Sequence, residues 1–190
     1  IIISTTGIII KQRFVEPQIR NHSAQLRSKE VSKLFSINYI DAEQPGEKVQ
    51  HYLIERLQQH MGWADMVMVM DFGHGVMEPL VREYVQQNAK FMALNCQTNS
   101  NNHGFNLINR QYRRADSFSL DQTEICLATG RKEIDFTSEL QKLGNFFNSK
   151  YAWLTRGGSE TIGIRNKKAP VYCPSFEHNV IDPIGAGDAF

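Results

Sequence analysis

The sequence predicts an α/β domain with a mainly parallel sheet, because short apolar runs alternate along the chain with stretches of helical periodicity. The run from Asp65 to Met70 has the unbroken apolar character of a strand that is buried on both faces of a parallel sheet. Phe91 to Asn95 and Tyr151 to Thr155 are predicted as two further buried strands. Between these strands, residues 79–89 and 136–148 are predicted as helices.

The remaining elements are placed by alternation, periodicity and turn residues. Ile8 to Val15 and Lys33 to Asp41 favour the two strands of an amino-terminal β-hairpin, with polar Asn21 to Lys29 as its loop. Residues 47–60 carry a helical apolar stripe, and residues 116–120 lead into a short helix that starts at Asp121. Residues 161–166 and 170–176 are predicted as more exposed strands.

The composition excludes several classes of protein. With 190 residues, 41% apolar and 22% charged, the chain has the composition of an ordinary globular domain, and its net charge of +1 provides no electrostatic surface for nucleic acid or an anionic membrane. The apolar opening, broken by Ser4 to Gly7, is neither a signal peptide nor a membrane span. The three cysteines lack the spacing of a disulfide framework or zinc site and favour a cytoplasmic setting, and the six histidines show no metal-ligand spacing.

Polar residues follow the predicted strands at the ends where open α/β sheets bind ligands, namely Asp71, Asn95, Asp121 and Thr155. Two glycines after Asp71 would let a ligand approach the backbone closely, and the five asparagines of residues 95–106, with Gln97, could line a polyol. Each residue also has a purely structural interpretation, since Asp and Asn cap helices and Gly permits turns. Their shared position favours the ligand interpretation.

The segment Ile181 to Phe190 carries the most specific chemistry. A Gly-rich turn that opens a helix directs backbone N–H groups toward an anion, typically a phosphate. Asp188 in the same turn suits a base that takes a proton from an attacking hydroxyl. The structural alternative is a helix cap preceded by a glycine turn.

This segment, DPIGAGDAF, resembles the carboxy-terminal signature of the ribokinase-like (PfkB) family of sugar kinases. The resemblance implies a three-layer α/β/α fold with a mainly parallel central sheet. It implies that Asp188 is the catalytic base, that Gly185, Ala186 and Gly187 form an anion hole, and that Asp182 orders the site. It also implies ATP and Mg²⁺ as cofactors and a small-molecule sugar or sugar phosphate as substrate.

Three further stretches are similar to segments of that family, in the same order along the chain. Asp71 to Gly75 resembles an Asp-Tyr/Phe-x-x-Gly segment, and with Asn95 it implies substrate binding. Asp121 to Glu124 falls where the family has Asn-x-x-Glu, which implies that Glu124 helps to place the magnesium–phosphate group, although the leading Asn is Asp here.

The third stretch falls where the family has Thr-x-Gly-x-x-Gly beside the nucleotide. It implies nucleotide binding by Thr155, Arg156 and Gly157, although the later Gly is Glu160 here.

The combination of Ile10 to Phe14, Asp71 to Gly75 and Leu94 to Asn106 is most similar to the heptose-phosphate kinase branch, whose members are often fused to a nucleotidyltransferase. Lys11 and Arg13 share one strand face, where they could hold a sugar phosphate or could simply be solvated charges. The resemblance implies that residues 1–190 are an incomplete kinase domain, without its amino-terminal part and carboxy-terminal helices and inactive alone. A homodimer and a fused nucleotidyltransferase domain are the candidate partners, and the setting is cytoplasmic.

Two other functions compete with the kinase. A non-catalytic sugar- or nucleotide-binding regulator of the same fold is left open by Asp121 and Glu160, which depart from the family pattern. A dinucleotide-binding oxidoreductase is disfavoured, because the chain has no Gly-x-Gly-x-x-Gly after a first strand.

Overall fold

The computed structural model describes residues 10–22, 26–39, 46–98, 104–176 and 190. The chain divides into two compact units. One contains an amino-terminal hairpin, and the other contains residues 46–98 and 104–175.

The hairpin consists of β1 (Ile10–His22) and β2 (Leu26–Tyr39), which pair antiparallel with a register shift between Phe14 and Val15. The predicted hairpin is therefore confirmed. The expected loop from Asn21 to Lys29 is wrong in its extent, because the pairing continues to the last residue of β1. Strand pairing uses backbone groups, so a polar segment with no apolar alternation can still extend a two-stranded ribbon.

The second unit is an α/β fold around one six-stranded sheet in the order β3-β4-β5-β6-β7-β8. The pairs β3–β4, β4–β5 and β5–β6 are parallel, and β6–β7 and β7–β8 are antiparallel, which confirms the mainly parallel sheet. The strands are β3 (Val67–Asp71), β4 (Met92–Cys96), β5 (Ser117–Asp121), β6 (Tyr151–Thr155), β7 (Glu160–Arg165) and β8 (Val171–Pro174). The helices are α1 (Glu47–Met61), α2 (Pro79–Asn88), α3 (Ile108–Gln111), α4 (Gln122–Thr129) and α5 (Phe136–Phe147).

The helices in the described ranges pack on a single face of this sheet. Strands that succeed one another in order, joined by right-handed crossovers, place every connecting helix on the same side. The core follows that rule, because its strand residues alternate along β3 to β7 and meet apolar side chains from all five of these helices. The strand members of the core are Val69, Met92, Leu94, Cys96, Phe118, Leu120, Ala152, Leu154, Ile162 and Ile164.

We call the opposite face of the six-stranded sheet the bare face. It carries Met68 (62% exposed), Met70 (40%) and Trp153 (40%), with Ala93, Ser117 and Ser119 between them. The prediction that Asp65 to Met70 is buried on both faces is therefore wrong in the described structure. In β3, buried and exposed side chains alternate, because helices cover only one face of the strand in the described structure. The second helical layer of a three-layer fold is not among the described residues.

Two details of the sheet also differ from the sequence expectation. Residues 161–166 were expected to be exposed, yet Ile162 and Ile164 of β7 are buried, because an antiparallel partner of β6 covers the same core. The short helix α3 lies beyond the Asn-rich segment and was not predicted, since four residues are too few to show a helical period. No helix within the described ranges has both the length and the apolar character needed to cross a bilayer.

Candidate functional site

The polar residues that follow the strands lie at one edge of the sheet. Asp71, Asp121 and Thr155 are the last residues of β3, β5 and β6, and Asn95 is one residue from the end of β4. Asp71 pairs in register with Cys96, and Asp121 pairs with Thr155. The sequence-predicted residues of these four strands thus all lie at the carboxyl edge of the sheet, where open α/β sheets bind ligands.

The carboxylate of Asp71 is directed into the protein interior and only 3% of the residue is exposed. Its Oδ1 accepts a hydrogen bond from the Gly73 amide at 2.8 Å, and its Oδ2 accepts one from the Tyr112 hydroxyl at 2.8 Å. Tyr112 follows α3 and is completely buried. Sequence reasoning missed this residue, because no local pattern marks a tyrosine that meets an aspartate 41 positions away.

Burial and the Asp71 charge keep two neighbouring groups protonated. They raise the pKa of the Tyr112 hydroxyl well above its ordinary range, so the phenol remains a hydrogen-bond donor to the carboxylate. Burial, Asp71 and Glu124 likewise raise the pKa of the Cys96 thiol, whose Sγ lies 3.8 Å from the carbonyl oxygen of Asn106. Cys96 is therefore an inert packing residue, since the thiolate is the reactive form.

Asp121 and Glu124 form a capping box at the start of α4. The Asp121 side chain accepts from the Glu124 amide at 2.7 Å, and Glu124 Oε2 accepts from the Asp121 amide at 2.8 Å. Glu124 Oε1 also accepts from the amide of Thr98, in the segment that follows β4, at 3.1 Å. The structural interpretation of Asp121 is thus observed, and Glu124 connects the ends of two adjacent strands.

Burial, followed by the nearby charge of Asp121, raises the pKa of Glu124 to about 7. The folded protein therefore binds this proton more tightly than the unfolded chain, whose carboxyl keeps a value near 4.5. The free energy of unfolding should accordingly fall as the pH rises through that window, by on the order of 3 kcal/mol.

The Glu124→Gln variant should lack this pH-dependent loss. Glutamine has only one acceptor oxygen in place of two, so the variant should be less stable than the wild type at pH 5. The difference in the free energy of unfolding between the two proteins should narrow or reverse by about pH 8. Urea unfolding at both pH values checks this, with the exposed Glu55→Gln as the control that should follow the wild type. Parallel pH curves for wild type and Glu124→Gln would contradict the assignment.

The side-chain amides of Asn95 and Asn106 donate hydrogen bonds to neighbouring residues. Asn95 Nδ2 donates to Ser119 Oγ at 3.1 Å, while Asn95 Oδ1 is buried and has no hydrogen-bond partner among the described residues. Asn106 Nδ2 donates to the carbonyl of Gln97 at 3.1 Å, and Thr98 Oγ1 donates to the carbonyl of Asn106 at 3.1 Å. Asn106 and Thr98 therefore shape the backbone of this segment, and Asn95 connects β4 to β5. Residues 99–103 lie outside the described residues.

The turn between β6 and β7 holds Thr155, Arg156 and Gly157. Gly157 has a φ of +56°, a left-handed conformation that favours glycine, and the space where a side chain would stand is open. The Arg156 guanidinium lies 4.6 Å from the centre of the Phe136 ring and forms an ion pair with Glu160. Glu160 thus forms an ion pair with Arg156, which the sequence resemblance implies to bind the nucleotide.

Lys11 and Arg13 belong to the other compact unit, the one that contains the hairpin. Lys11 and Arg13 are exposed on one face of β1, paired in register with Asn38 and Ser36. Asp182, Gly185, Ala186, Gly187 and Asp188 lie outside the described residues.

Comparisons with known proteins agree on the fold. Phosphofructokinase-2 from Escherichia coli, solved in a tetrameric inhibited form, is similar with a TM-score of 0.62 and 12% identity over 82% of this chain and 51% of that one. A proposed sugar kinase from Clostridium perfringens is similar with a TM-score of 0.57 and 12% identity, over 83% of this chain and 48% of that one. A proposed phosphofructokinase from Staphylococcus aureus is similar with a TM-score of 0.55 and 12% identity, over 83% of this chain and 50% of that one.

These likenesses show that the chain has the fold of ribokinase-like sugar kinases, as predicted. The chain spans about half the length of these solved structures. No family model and no curated protein matches the chain.

Proposed function

We propose that the full-length protein is an ATP-dependent kinase that phosphorylates a hydroxyl of a sugar or sugar phosphate. The observation that carries this proposal is the Gly-Ala-Gly-Asp sequence at 185–188 in a chain whose fold is that of sugar kinases. A fold alone hosts many functions, so the assignment depends on this motif and its chemistry.

Asp188 takes the proton of the attacking hydroxyl while the hydroxyl oxygen forms its bond to the γ-phosphorus of ATP. The bond between that phosphorus and the β,γ-bridging oxygen breaks, and ADP leaves. Backbone N–H groups of Gly185, Ala186 and Gly187 stabilise the charge on the transferring group, and Asp182 orders the turn. Each role follows from the resemblance of these residues to the family motif.

The nucleotide is assigned to the β6–β7 turn and the sugar to the carboxyl ends of β3 and β4. Thr155 and Gly157 provide backbone that a phosphate can approach, and Arg156 provides a guanidinium. For the sugar, we assign the turn that begins at Asp71 and the side chain of Asn95, whose Oδ1 is buried without a described partner. Both segments end parallel strands at the same edge.

Magnesium would neutralise charge on the ATP phosphates. The described residues include no group of three His, Cys, Asp or Glu side chains able to hold a metal. Both Glu124 oxygens already accept backbone hydrogen bonds, so its carboxylate does not fit a direct metal ligand in this structure. The role proposed for Glu124 is therefore indirect, through the loop ends that it holds.

The test is an ATP-consumption assay of the full-length protein against pentoses, hexoses, heptoses and their monophosphates. A kinase should release ADP with one sugar class and form a phosphorylated product in equal amount. A protein that binds a sugar or ATP without ADP release would instead be the regulator, which the Arg156–Glu160 ion pair favours because it occupies the proposed nucleotide arginine. No binding and no turnover would remove both candidates.

We further propose that the substrate already carries a phosphate, as the resemblance to heptose-phosphate kinases suggests. Lys11→Ala and Arg13→Ala should each raise KM for the sugar phosphate by about tenfold or more, because each removes a charged partner of the phosphate. KM for ATP should stay within about twofold, and Lys48→Ala, an exposed lysine on α1, is the control. Equal kcat/KM for the unphosphorylated sugar would contradict the preference.

The other proposals concern context. Residues 1–190 would be an incomplete kinase domain, inactive alone, of a cytoplasmic protein that forms a homodimer and carries a fused nucleotidyltransferase. Size-exclusion chromatography with light scattering on the full-length protein tests the dimer, and nucleotidyl transfer from a nucleoside triphosphate to a sugar phosphate tests the fusion.

A further inference from the structure

A polar pair interrupts the core where β3 ends. Tyr112 and Asp71 are both buried, and each carboxylate oxygen of Asp71 accepts a described hydrogen bond, one from Tyr112 and one from the Gly73 amide. The surrounding core is apolar, with Val69, Leu94 and Ile108 among its members. A buried charge in such a place is costly, and an apolar pair of the same size would stabilise the fold as well or better. The buried pair is therefore better explained by the backbone geometry that its hydrogen bonds impose than by a gain in stability.

That geometry belongs to the turn of residues 71–75, which we call the glycine turn. Gly73 and Gly75 have φ angles of +68° and +85°, in the left-handed region that favours glycine. The bond from the Gly73 amide to the Asp71 carboxylate closes the turn on itself, as in an Asx-turn. The carbonyl oxygen of Asp71 also accepts from the Gln97 amide at 2.8 Å, so the same residue fixes the segment after β4.

Tyr112 is the group that orients this carboxylate from outside the turn. Its hydroxyl lies 2.8 Å from Asp71 Oδ2, and its raised pKa keeps the proton on the phenol at neutral pH. Without that hydroxyl, Oδ2 would remain buried with no donor among the described residues, and the carboxylate would rotate or draw in water. Either change would alter the bond to Gly73 and hence the shape of the glycine turn.

We propose that Tyr112 is a positioning residue for the sugar-binding site and acts through Asp71 on the glycine turn. This inference rests on the proposed kinase function and refines it: Asp71 shapes the turn by accepting hydrogen bonds inside the protein. The backbone of residues 72–75 then faces the sugar in place of the Asp71 carboxylate.

The test is Tyr112→Phe in the full-length protein, which keeps the ring and removes only the hydroxyl. The substrate is the sugar or sugar phosphate, among those assayed above, that the wild type uses with the highest kcat/KM. The variant's KM for this substrate should rise by about tenfold, the effect of one hydrogen bond to a charged group, while its KM for ATP stays within about twofold. Tyr172→Phe on β8 is the matched control, since it also loses a hydroxyl contact, to Thr137 at 3.1 Å, at the opposite edge of the sheet. An unchanged KM for the sugar, or an equal rise in both KM values, would overturn the proposal.

Asp71→Asn separates positioning from direct contact with the sugar. The asparagine retains an acceptor oxygen for Gly73 and an amide that can donate to the Tyr112 oxygen, so a positioning role predicts a loss smaller than that of Asp71→Ala. The double variant Tyr112→Phe/Asp71→Asn should be less impaired than the product of the two single effects, because both act on one turn. Independent, multiplicative effects would overturn the coupling.

Amide hydrogen exchange keeps this outcome distinct from failure of the kinase proposal. If the wild type phosphorylates none of the assayed sugars or sugar phosphates, the kinase assignment is wrong. Amide hydrogen exchange still reports whether Tyr112 stabilises the glycine turn. The Gly73 amide should exchange about tenfold faster in Tyr112→Phe, while the amides of β6 keep their protection. Unchanged protection at Gly73 would overturn the role of Tyr112 whatever the activity.

Discussion

Replacing Asp188 by Asn should lower kcat of the full-length protein by about 10²- to 10⁴-fold, the contribution of a positioned general base. A sugar hydroxyl is a poor nucleophile at neutral pH unless its proton leaves as the new bond forms. Asparagine keeps the size of the side chain and removes the basic oxygen. ATP affinity should change little or tighten, because the proposed anion hole is backbone and one negative charge is lost. Measuring kcat beside ATP affinity checks both parts.

The control for this variant is Asp65→Asn, a change of the same chemistry at a fully exposed side chain. It should leave kcat at the wild-type value. If the Asp188→Asn enzyme stays within about tenfold of wild type, a barrier change near 1.4 kcal/mol, Asp188 is not the base.

Replacing Phe118 by Ala should destabilise the α/β unit by about 3–5 kcal/mol, the usual cost of emptying a buried aromatic site. Phe118 of β5 is 1% exposed and packs edge to face on Phe147 of α5, with ring centres 5.3 Å apart. It is in register with Leu94 and Ala152 of the two neighbouring strands, so several core side chains would border the cavity. The shift in the urea unfolding midpoint measures this loss.

Phe105→Ala is the matched control, since Phe105 is 81% exposed and its truncation opens no cavity. Its effect should fall within about 0.5 kcal/mol, as for ordinary surface substitutions. A loss below about 1 kcal/mol for Phe118→Ala would contradict the packing that we describe around β5.

The sequence predicted those parts of the fold that local patterns encode. The positions of Asp71, Asn95, Asp121 and Thr155 at the strand ends followed from apolar runs that stop at polar residues. The helix-cap alternative for Asp121 was likewise readable, because Asp followed three residues later by Glu is a capping signature.

Long-range contacts were beyond such patterns. Tyr112 bonds to Asp71 at the end of β3, and Glu124 of α4 bonds to Thr98 beyond β4, so each contact joins distant segments of the chain. Nothing in the local sequence marks either pair. The exposure of Met68 and Met70 also escaped the sequence, because an apolar run does not tell which of its two faces meets a helix. The roles of Asp182 and Gly185 to Asp188 remain predictions from the motif.

The bare face also has a redox consequence. Methionine thioethers that face solvent react with peroxides to give sulfoxides, which are polar and chiral. Met68 and Met70 lie on this face in register with Ala93 and Asn95, so their oxidation would replace its two exposed methionine thioethers by polar groups. Any layer that packs there would shield these sulfur atoms, and oxidation before packing would oppose its docking. The oxidation rate of these two methionines thus reports whether the face is covered.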